Sequence, residues 1–391
     1  MQARRGSATV ALPCAPFSRS PMNCSRPVAS ALRPLALALV LAGTSAVAGE
    51  PLYHLTVLEV PGATAVTAKD INDAGQIVGT WSDENFVRHA VLWDGDGWHD
   101  LALPPGEEVN GIAHAINGSG QIVGTSDDYM NPTAGLLWDA ATPGEYTVIG
   151  ADAGTHVNPA DINDAGIVVG GFGAPSRAFA WTLEAGFVDY GLQDPTMEDQ
   201  QARWSAINAS GRIIGRWNQH VSNIHATVGQ FGTPTVLAMG AMTEEYPTNA
   251  VGIDSAGIAV GLGLAAETPA LVPVVFALDG SYTEIPGAAL DQGNGSAIAI
   301  NDAGVIAGVA GIGTANGPVP GLKAWVHRDG VTHDLYEVVD DTAVFASFSS
   351  ANAINADGVI VGTGRTADGS MMSFMLTPIR ADAVFADGFE P

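Results

Sequence analysis

The chain has 391 residues, and 41 acidic against 15 basic residues give it a formal net charge of −26 at pH 7. This charge excludes a protein that binds nucleic acid by neutralising phosphates, because that requires a basic face. Hydrophobic residues make up 47% of the chain and charged residues only 14%, while 48 glycines and 23 prolines supply many turns. Such a composition can build a core and disfavours both disorder and long helices.

Residues 1–48 have the pattern of a secretory signal peptide. They carry five arginines and no acid, an apolar run at 35–43, and Ala46-Val47-Ala48 as a cleavage site. The apolar run is shorter than the roughly 20 residues that span a membrane, and no later segment is long and apolar enough. We therefore predict a secreted or periplasmic protein without a membrane span, in which Met22 is an alternative translation start.

Loss of residues 1–48 changes the chemistry of the chain. The remainder holds 10 basic against 41 acidic residues, a net charge of −31, and it no longer contains Cys14 and Cys24, the only cysteines. Without disulfides or thiolates, the mature protein depends on burial of apolar surface for its stability.

An internal repeat organises residues 49–377. Seven times, an Ile-Asn or Ile-Asp pair is followed by a glycine three residues after the Asn or Asp, and by a second glycine four residues later. Successive copies are 45 to 54 residues apart, the length of one four-stranded propeller blade. The predicted structural turn residues are Asn72, Gly75, Asn117, Gly120, Asn163, Gly166, Asn208, Gly211, Asp254, Gly257, Asn301, Gly304, Asn355 and Gly358.

Within one copy, alternating hydrophobic residues indicate four short strands. In the first copy a strand precedes Asn72, and further strands follow at 76–81, 89–93 and 98–101. The Asn side chain can bond its own backbone two residues on, and the glycine can adopt the left-handed conformation that ends a tight turn. The pattern of each copy therefore predicts one antiparallel four-stranded sheet.

The ends of the repeat region predict how the sheets are arranged. The seventh copy has no fourth strand, whereas residues 53–60 precede the first copy and resemble the fourth strand of copy five. We predict an all-β fold, a closed seven-bladed β-propeller with four antiparallel strands per blade, in which the N-terminal strand completes the last blade and removes two sheet edges. Residues 378–391 form a C-terminal tail, and we expect a monomer.

The repeat resembles the HAF family of bacterial extracellular repeat proteins over roughly residues 53–377. The characteristic strand start appears as His89-Ala90-Val91, Arg177-Ala178-Phe179, His225-Ala226-Thr227 and Lys323-Ala324-Trp325. Copies two, five and seven have Ala134, Val272 and Met372 at the histidine position, which argues against a histidine ligand in every blade. The resemblance implies export and a repeat fold, not an established activity.

Sequence motifs of catalysis are absent. The chain has no G-x-S-x-G elbow, no Walker-type loop and no H-E-x-x-H, H-x-H or C-x-x-C spacing. The Asn-x-x-Gly turns lack the alternating carboxylates of a calcium loop. We therefore predict no catalytic residue and no cofactor, and leave open whether calcium bridges neighbouring acidic loops.

Two functional hypotheses remain. The first is a secreted or cell-envelope binding module, whose unknown ligand sits on the face bearing the loops between the second and third strands and between successive copies. The alternative is an extracellular carbohydrate-active enzyme, a polysaccharide lyase or hydrolase, with paired carboxylates near the channel. Two carboxylates that converge with raised pKa values would favour the enzyme.

Acidic pairs cluster in the loops expected on this face. A negative rim attracts cations, amines or basic peptides and repels nucleic acid, although an acidic surface also serves solubility. The candidate ligand rim, called the acidic rim below, comprises Asp83, Glu84, Glu107, Glu108, Asp127, Asp128, Glu198, Asp199, Glu244, Glu245, Asp340 and Asp341.

Overall fold

The computed structural model describes residues 51–379, except 107–108, 129–130, 151–155, 192–200, 219–223, 234–235, 239–247, 267, 269, 291–292, 312–320 and 343. The side chains of 128, 131–132 and 236–238 are likewise outside the description. The predicted signal peptide and nearly all of the predicted tail lie outside the described residues.

Short strands separated by turns make up this part of the chain. The first strand is β1 (Tyr53–Leu58), and the next 24 strands fall into six groups of four. Group 1 contains β2 (Ala65–Ile71), β3 (Ile77–Ser82), β4 (Arg88–Asp94) and β5 (Gly97–Asp100); group 2 contains β6 (Asn110–Ile116), β7 (Gln121–Asp128), β8 (Asn131–Asp139) and β9 (Thr147–Ile149). Group 3 contains β10 (Val157–Ile162), β11 (Val168–Phe172), β12 (Arg177–Thr182) and β13 (Gly186–Gly191); group 4 contains β14 (Gln201–Ile207), β15 (Arg212–Asn218), β16 (Ile224–Gln230) and β17 (Val236–Ala238).

The second half of the chain continues the pattern. Group 5 contains β18 (Asn249–Ile253), β19 (Ala259–Leu264), β20 (Leu271–Phe276) and β21 (Tyr282–Glu284); group 6 contains β22 (Gly295–Ile300), β23 (Ile306–Ala310), β24 (Lys323–Arg328) and β25 (Val331–Asp334). A 3-10 helix (Leu335–Glu337) precedes β26 (Phe345–Ile354), β27 (Ile360–Thr366) and β28 (Met371–Pro378). The last strand ends one residue beyond the predicted boundary of the repeat region at 377. No helix long and apolar enough to cross a membrane occurs among the described residues.

Groups 2 to 6 are separate antiparallel sheets whose strands pair in chain order. The remaining eight strands form one sheet, in which group 1 and a second set, β26, β27, β28 and β1, are joined at the single parallel pair Ala65–Met371. We call this second set group 7. β1 pairs with β28 in antiparallel register from Tyr53–Pro378 to Leu58–Ser373, so strands from the two ends of the described chain share one ladder.

The hydrophobic core lies between groups and not within a single sheet. Leu92 of group 1 packs in a buried cluster with Leu136 and Trp138 of group 2, and Val361 of group 7 packs in one with Trp93 of group 1. Both faces of each sheet are therefore covered, which explains why β11, β12 and β23 are almost continuously buried along their length.

The first strand of each group, which we call its inner strand, lies beside the first strands of the neighbouring groups, and β2 contacts both β6 and β26. Every inner strand contains a β-bulge three positions before the turn Asn or Asp, where one residue has no partner in the ladder. The unpaired bulge residues are Lys69, His114, Ala160, Ser205, Val251, Ile298 and Asn352.

Candidate functional site

Each repeat asparagine holds its turn in two directions. The Asn72 Oδ1 accepts the backbone N–H of Gln76 at 2.9 Å, which closes the turn within group 1. The Asn72 Nδ2 donates to the backbone carbonyl of Asn117, the equivalent residue of group 2, at 3.0 Å. The same donation runs from Asn117 to Asn163, Asn163 to Asn208, Asn208 to Asp254, Asn301 to Asn355, and Asn355 to Asn72. These bonds between groups were not part of the sequence interpretation, which treated the asparagines as turn residues alone.

The turn of group 5 interrupts this series. Asp254 accepts the N–H of Ile258 at 2.7 Å, but a carboxylate has no N–H to donate to the carbonyl of Asn301. A hydrogen bond of 2.9 Å from the Ser255 N–H to the Asp302 Oδ1 still connects groups 5 and 6. The junction between groups 5 and 6 therefore lacks the amide donation that joins the turns at the other six junctions.

The repeat glycines serve two different purposes. The first glycine of every copy has a φ between 71° and 90°, as the tight turn requires, at Gly75, Gly120, Gly166, Gly211, Gly257, Gly304 and Gly358. The second glycine lies on the second strand, opposite the bulge. A Cβ placed on Gly79 would lie 2.0 Å from the Thr67 carbonyl oxygen, and one on Gly261 would lie 1.9 Å from that of Asn249. The second glycine is required because the bulged strand approaches it too closely for any side chain.

Charged residues concentrate on the inner strands of groups 1 to 4. Lys69 and His114 are the bulge residues of groups 1 and 2, whereas groups 5 and 6 have Val251 and Ile298 at the same position. Asp70 and Asp161 follow the bulges of groups 1 and 3, and Arg203 lies two residues before the bulge of group 4. We call Lys69, Asp70, His114, Asp161 and Arg203 the inner cluster.

Asp70 and Asp161 bridge neighbouring inner strands. The N–H of the turn Asn bonds to the second strand, so the N–H of the preceding isoleucine points to the opposite, open edge. Asp70 accepts the N–H of Ile71 at 2.9 Å and that of Ile116 in group 2 at 2.8 Å. Asp161 likewise accepts from Ile162 and from Ile207 in group 4, both at 2.8 Å. Each carboxyl group therefore uses both of its oxygens to join two groups.

The protonation behaviour of these two acids is unusual. Burial raises the pKa of Asp70 to about 6. Burial and the negative charge of Asp70 together raise the pKa of Asp161 to about 7. The hydrogen bonds from the backbone act in the opposite direction, because they favour the charged form.

The basic members of the inner cluster influence one another. Burial, together with the positive charges of Lys69, Arg203 and Arg88, lowers the pKa of His114 to about 3. Burial also lowers the pKa of Lys69, with a smaller contribution from Arg88. His114 is therefore neutral at pH 7, and its Nε2 lies 3.2 Å from the Thr125 hydroxyl. The sequence analysis did not single out these residues, although a polar residue at a position occupied by Val or Ile in other copies was a visible signal.

Two members of the acidic rim, Asp83 and Asp340, hold neighbouring backbone in place. The Asp83 Oδ1 accepts the N–H groups of Asn85 and Val87 at 2.8 and 2.9 Å. The Asp340 Oδ1 accepts the N–H of Leu55 at 3.0 Å, while its Oδ2 contacts the His54 ring.

The other rim positions are less uniform. Asp127 lies 3.5 Å from the Arg88 guanidinium, and Glu84 and Asp341 are exposed. Glu107, Glu108, Glu198, Asp199, Glu244 and Glu245, and the side chain of Asp128, lie outside the described residues. A cationic ligand at the rim stays a prediction.

Histidines of the repeat motif pack on aromatic rings. His89 stacks on Trp81 with ring centroids 4.2 Å apart, and His225 stacks on Trp217 at 5.6 Å. Within the described ranges, no three His, Cys, Asp or Glu side chains come together in a way that could hold a metal ion. Calcium binding between loops stays a prediction.

Comparison with known proteins supports the fold only. No family model and no curated protein matches the chain. Among solved structures, virginiamycin B lyase from Staphylococcus aureus is 13% identical with a TM-score of 0.50, covering 84% of this chain and all of that one. TolB from Acinetobacter baumannii is 10% identical with a TM-score of 0.43 over 78% of this chain, which spans only 64% of the TolB length. A six-bladed β-propeller lectin from Aleuria aurantia is 11% identical with a TM-score of 0.37, covering 69% of this chain and 93% of the lectin. The chain is therefore an all-β protein with a β-propeller fold.

Proposed function

We propose that the chain is an exported, closed seven-bladed β-propeller that binds a ligand at the inner cluster. Three contacts between the ends of the repeat region support closure. β1 supplies the fourth strand beside β28, the Asn355 Nδ2 donates to the Asn72 carbonyl at 3.2 Å, and the Asn352 Nδ2 donates to the Ala68 carbonyl at 2.7 Å.

The observation that carries the binding role is the difference between copies at the bulge position. The repeat leaves this residue unpaired in all seven inner strands, so the fold itself does not require a charge there. Groups 1 and 2 nevertheless have Lys69 and His114, whereas groups 5 and 6 have Val251 and Ile298. Partly buried charged or polar groups cost free energy unless they are compensated, which supports a role for the Lys69 ammonium group and the neutral His114 ring in contacting another molecule.

The inner strands hold such a ligand on a rigid support. Their backbones are fixed by the sheets, by the asparagine bonds between groups and by the bridging carboxylates of Asp70 and Asp161. A site on rigid strands loses little conformational entropy when a ligand binds. Neutral His114 offers both a donor and an acceptor, and Lys69 offers a positive charge.

The alternative, an extracellular carbohydrate-active enzyme, receives one observation in its favour. Asp70 and Asp161 have the raised pKa values that a general acid requires. However, both oxygens of each carboxyl group already accept backbone N–H groups. These bonds fix the carboxyls between strands and favour a structural role, so we prefer the binding module.

A ligand screen tests this proposal. Residues 49–391 should be screened by thermal shift against small organic acids, amines, amino acids and sugars. We expect a saturable rise in melting temperature with one class, lost in Lys69→Met and His114→Leu and kept in Arg365→Gln, a control at an exposed position on β27. The ligand should be recovered chemically unchanged. A ligand that raises the melting temperature of Lys69→Met and His114→Leu as much as that of the wild type would contradict the site. Turnover of the ligand would favour the enzyme.

Export and membership of the HAF family complete the proposal. N-terminal sequencing of protein from the periplasm or medium should begin at Gly49 or Glu50. Uncleaved chain confined to the cytosol would contradict export while leaving the binding site untouched.

A further inference from the structure

A small cavity between groups 3 and 4 is lined by hydrogen-bond donors. Its volume is about 20 Å³, and Arg203, Trp204 and Arg216 contribute to its wall. This volume admits about one water-sized atom. Since Arg203 belongs to the inner cluster, the cavity extends the proposed binding site.

The two arginines of this cavity are placed unfavourably for the isolated protein. Arg203 on β14 and Arg216 on β15 lie directly opposite each other in the ladder, where like charges repel. Burial and the charge of Arg216 lower the pKa of Arg203.

Several other basic residues of this acidic chain form ion pairs. Arg88 and Lys323 form ion pairs with Asp127 and Asp334 at 3.5 and 3.0 Å, and Arg177 pairs with Asp189. No ion pair to Arg203 or Arg216 is found among the residues that the structure describes.

Trp204 adds a third donor without an acceptor. Its side chain is only 1% exposed, and its indole Nε1 has no hydrogen-bond partner in the described structure. Buried N–H groups are rarely left unpaired, because an unmade hydrogen bond costs free energy. Arg203, Arg216 and Trp204 thus line a cavity, beside the hydroxyl-bearing Tyr190 and Thr227, and no hydrogen-bond acceptor for their side-chain N–H groups is found among the described residues.

We propose that the ligand of the inner cluster carries a carboxylate, and that this group accepts hydrogen bonds from Arg203, Arg216 and Trp204. This inference rests on the proposed binding role of the inner cluster. A carboxylate is planar and matches the fork of a guanidinium, and one of its oxygens fits the enclosed volume.

Acetate is the simplest probe, with acetamide as its neutral counterpart and chloride as a simple anion, all at constant ionic strength and pH 7. We expect acetate to raise the melting temperature saturably, by roughly 1–3 °C at ten times its dissociation constant. Tryptophan fluorescence should change over the same concentration range, because Trp204 lies at the site. Equal effects of acetamide or chloride would overturn the carboxylate assignment.

Variants locate the effect. Arg203→Gln/Arg216→Gln should abolish the response to acetate, and without acetate it should melt no lower than wild type, because it removes a repulsion. Arg365→Gln should keep the full response. An acetate response that survives in the double variant would overturn the inference. A response that appears only in Glu198→Gln/Asp199→Asn would do so too, because it would assign the cavity to a carboxylate of the chain itself.

The two proposals fail in different ways. A ligand from the screen that depends on Lys69 and His114 but binds unchanged in Arg203→Gln/Arg216→Gln would keep the proposed function and overturn the carboxylate assignment. Absence of any ligand that depends on the inner cluster would overturn the proposed function itself.

Discussion

At the scale of single residues, the turn asparagine combines a local and a long-range role. Its Oδ1 closes the turn, as in Asn72 to Gln76, while its Nδ2 reaches the carbonyl of the next turn. An aspartate can perform the first role and not the second, since it has no N–H. The chain contains both residues at equivalent positions, so the two roles can be separated by exchange.

Asp254→Asn should supply the missing bond between groups 5 and 6. We expect the free energy of unfolding to rise by about 1 kcal/mol, since a new hydrogen bond to the Asn301 carbonyl replaces none that exists now. Urea denaturation at pH 7 measures this. The reverse exchange, Asn163→Asp, should lower stability by at least as much, and equal stability of all three proteins would contradict the role of Nδ2.

Single buried residues also determine how the stability of the fold depends on pH. Asp70 and Asp161, with pKa values of about 6 and about 7 in the folded protein, titrate near 4 when unfolded. Their raised pKa values make the fold more stable as the pH falls from 7 towards 4. His114, with a pKa of about 3, acts in the opposite direction below pH 6.5, because the unfolded chain gains a proton that the fold does not.

His225 and His327, whose pKa values burial also lowers, act in the same direction as His114. The contribution of the two acids therefore shows in a comparison with Asp70→Asn/Asp161→Asn. Between pH 7 and pH 5 the free energy of unfolding of the wild-type protein should rise by about 3 kcal/mol relative to that of this variant. Urea denaturation at the two pH values measures it. Asp70→Asn/Asp161→Asn should lose stability over this range, whatever its absolute stability, because the three histidines then act without the acids. Equal changes in the two proteins would show that the acids are ionised in the fold.

At the scale of strands, the bulge explains the second repeat glycine. The extra residue of each inner strand bends the chain, and the neighbouring carbonyl lies against the second strand at Gly79 and its equivalents. A glycine inside a strand often marks such an approach. The bulge also interrupts the alternation of side chains at Lys69 and His114. The same bulge that requires the glycine therefore positions two residues of the proposed site.

Alanine substitutions separate the two glycine roles. Gly75→Ala should cost about 1 kcal/mol, because its φ of 79° is unfavourable for alanine but no atom lies within 4 Å of the new Cβ. Gly79→Ala should cost about 3 kcal/mol or more, because its Cβ would lie 2.0 Å from the Thr67 oxygen and the strands would have to separate. Denaturant unfolding compares them, and equal costs would contradict the close approach.

At the scale of the whole molecule, the ladder between β1 and β28 decides whether the ends of the chain hold together. Tyr53 is 1% exposed and Leu58 is 7% exposed, so this strand contributes to the core as well as to the sheet. Removing it leaves β28 as an open edge beside Phe374 and Leu376, which are fully buried. Closure of the proposed propeller therefore depends on a segment outside the repeats.

A chain that starts at Pro61 should be less stable than one that starts at Pro51 by about 5 kcal/mol or more, because it exposes apolar side chains and a strand edge. The melting temperature should fall accordingly and aggregation should increase. Equal melting temperatures would contradict the closure by β1.

The sequence by itself determined the period, the four strands per copy, the turn glycines and an N-terminal strand at 53–60, which the structure ends at Leu58, because hydrophobic alternation and turn chemistry are local properties. Only the tertiary structure decided which residues meet. The donation from each Nδ2 joins turns about 45 residues apart, and the inner cluster combines Lys69, His114 and Arg203 from three groups. Burial then set the pKa values of Asp70 and Asp161, which depend on neighbouring strands and on no feature of the local sequence.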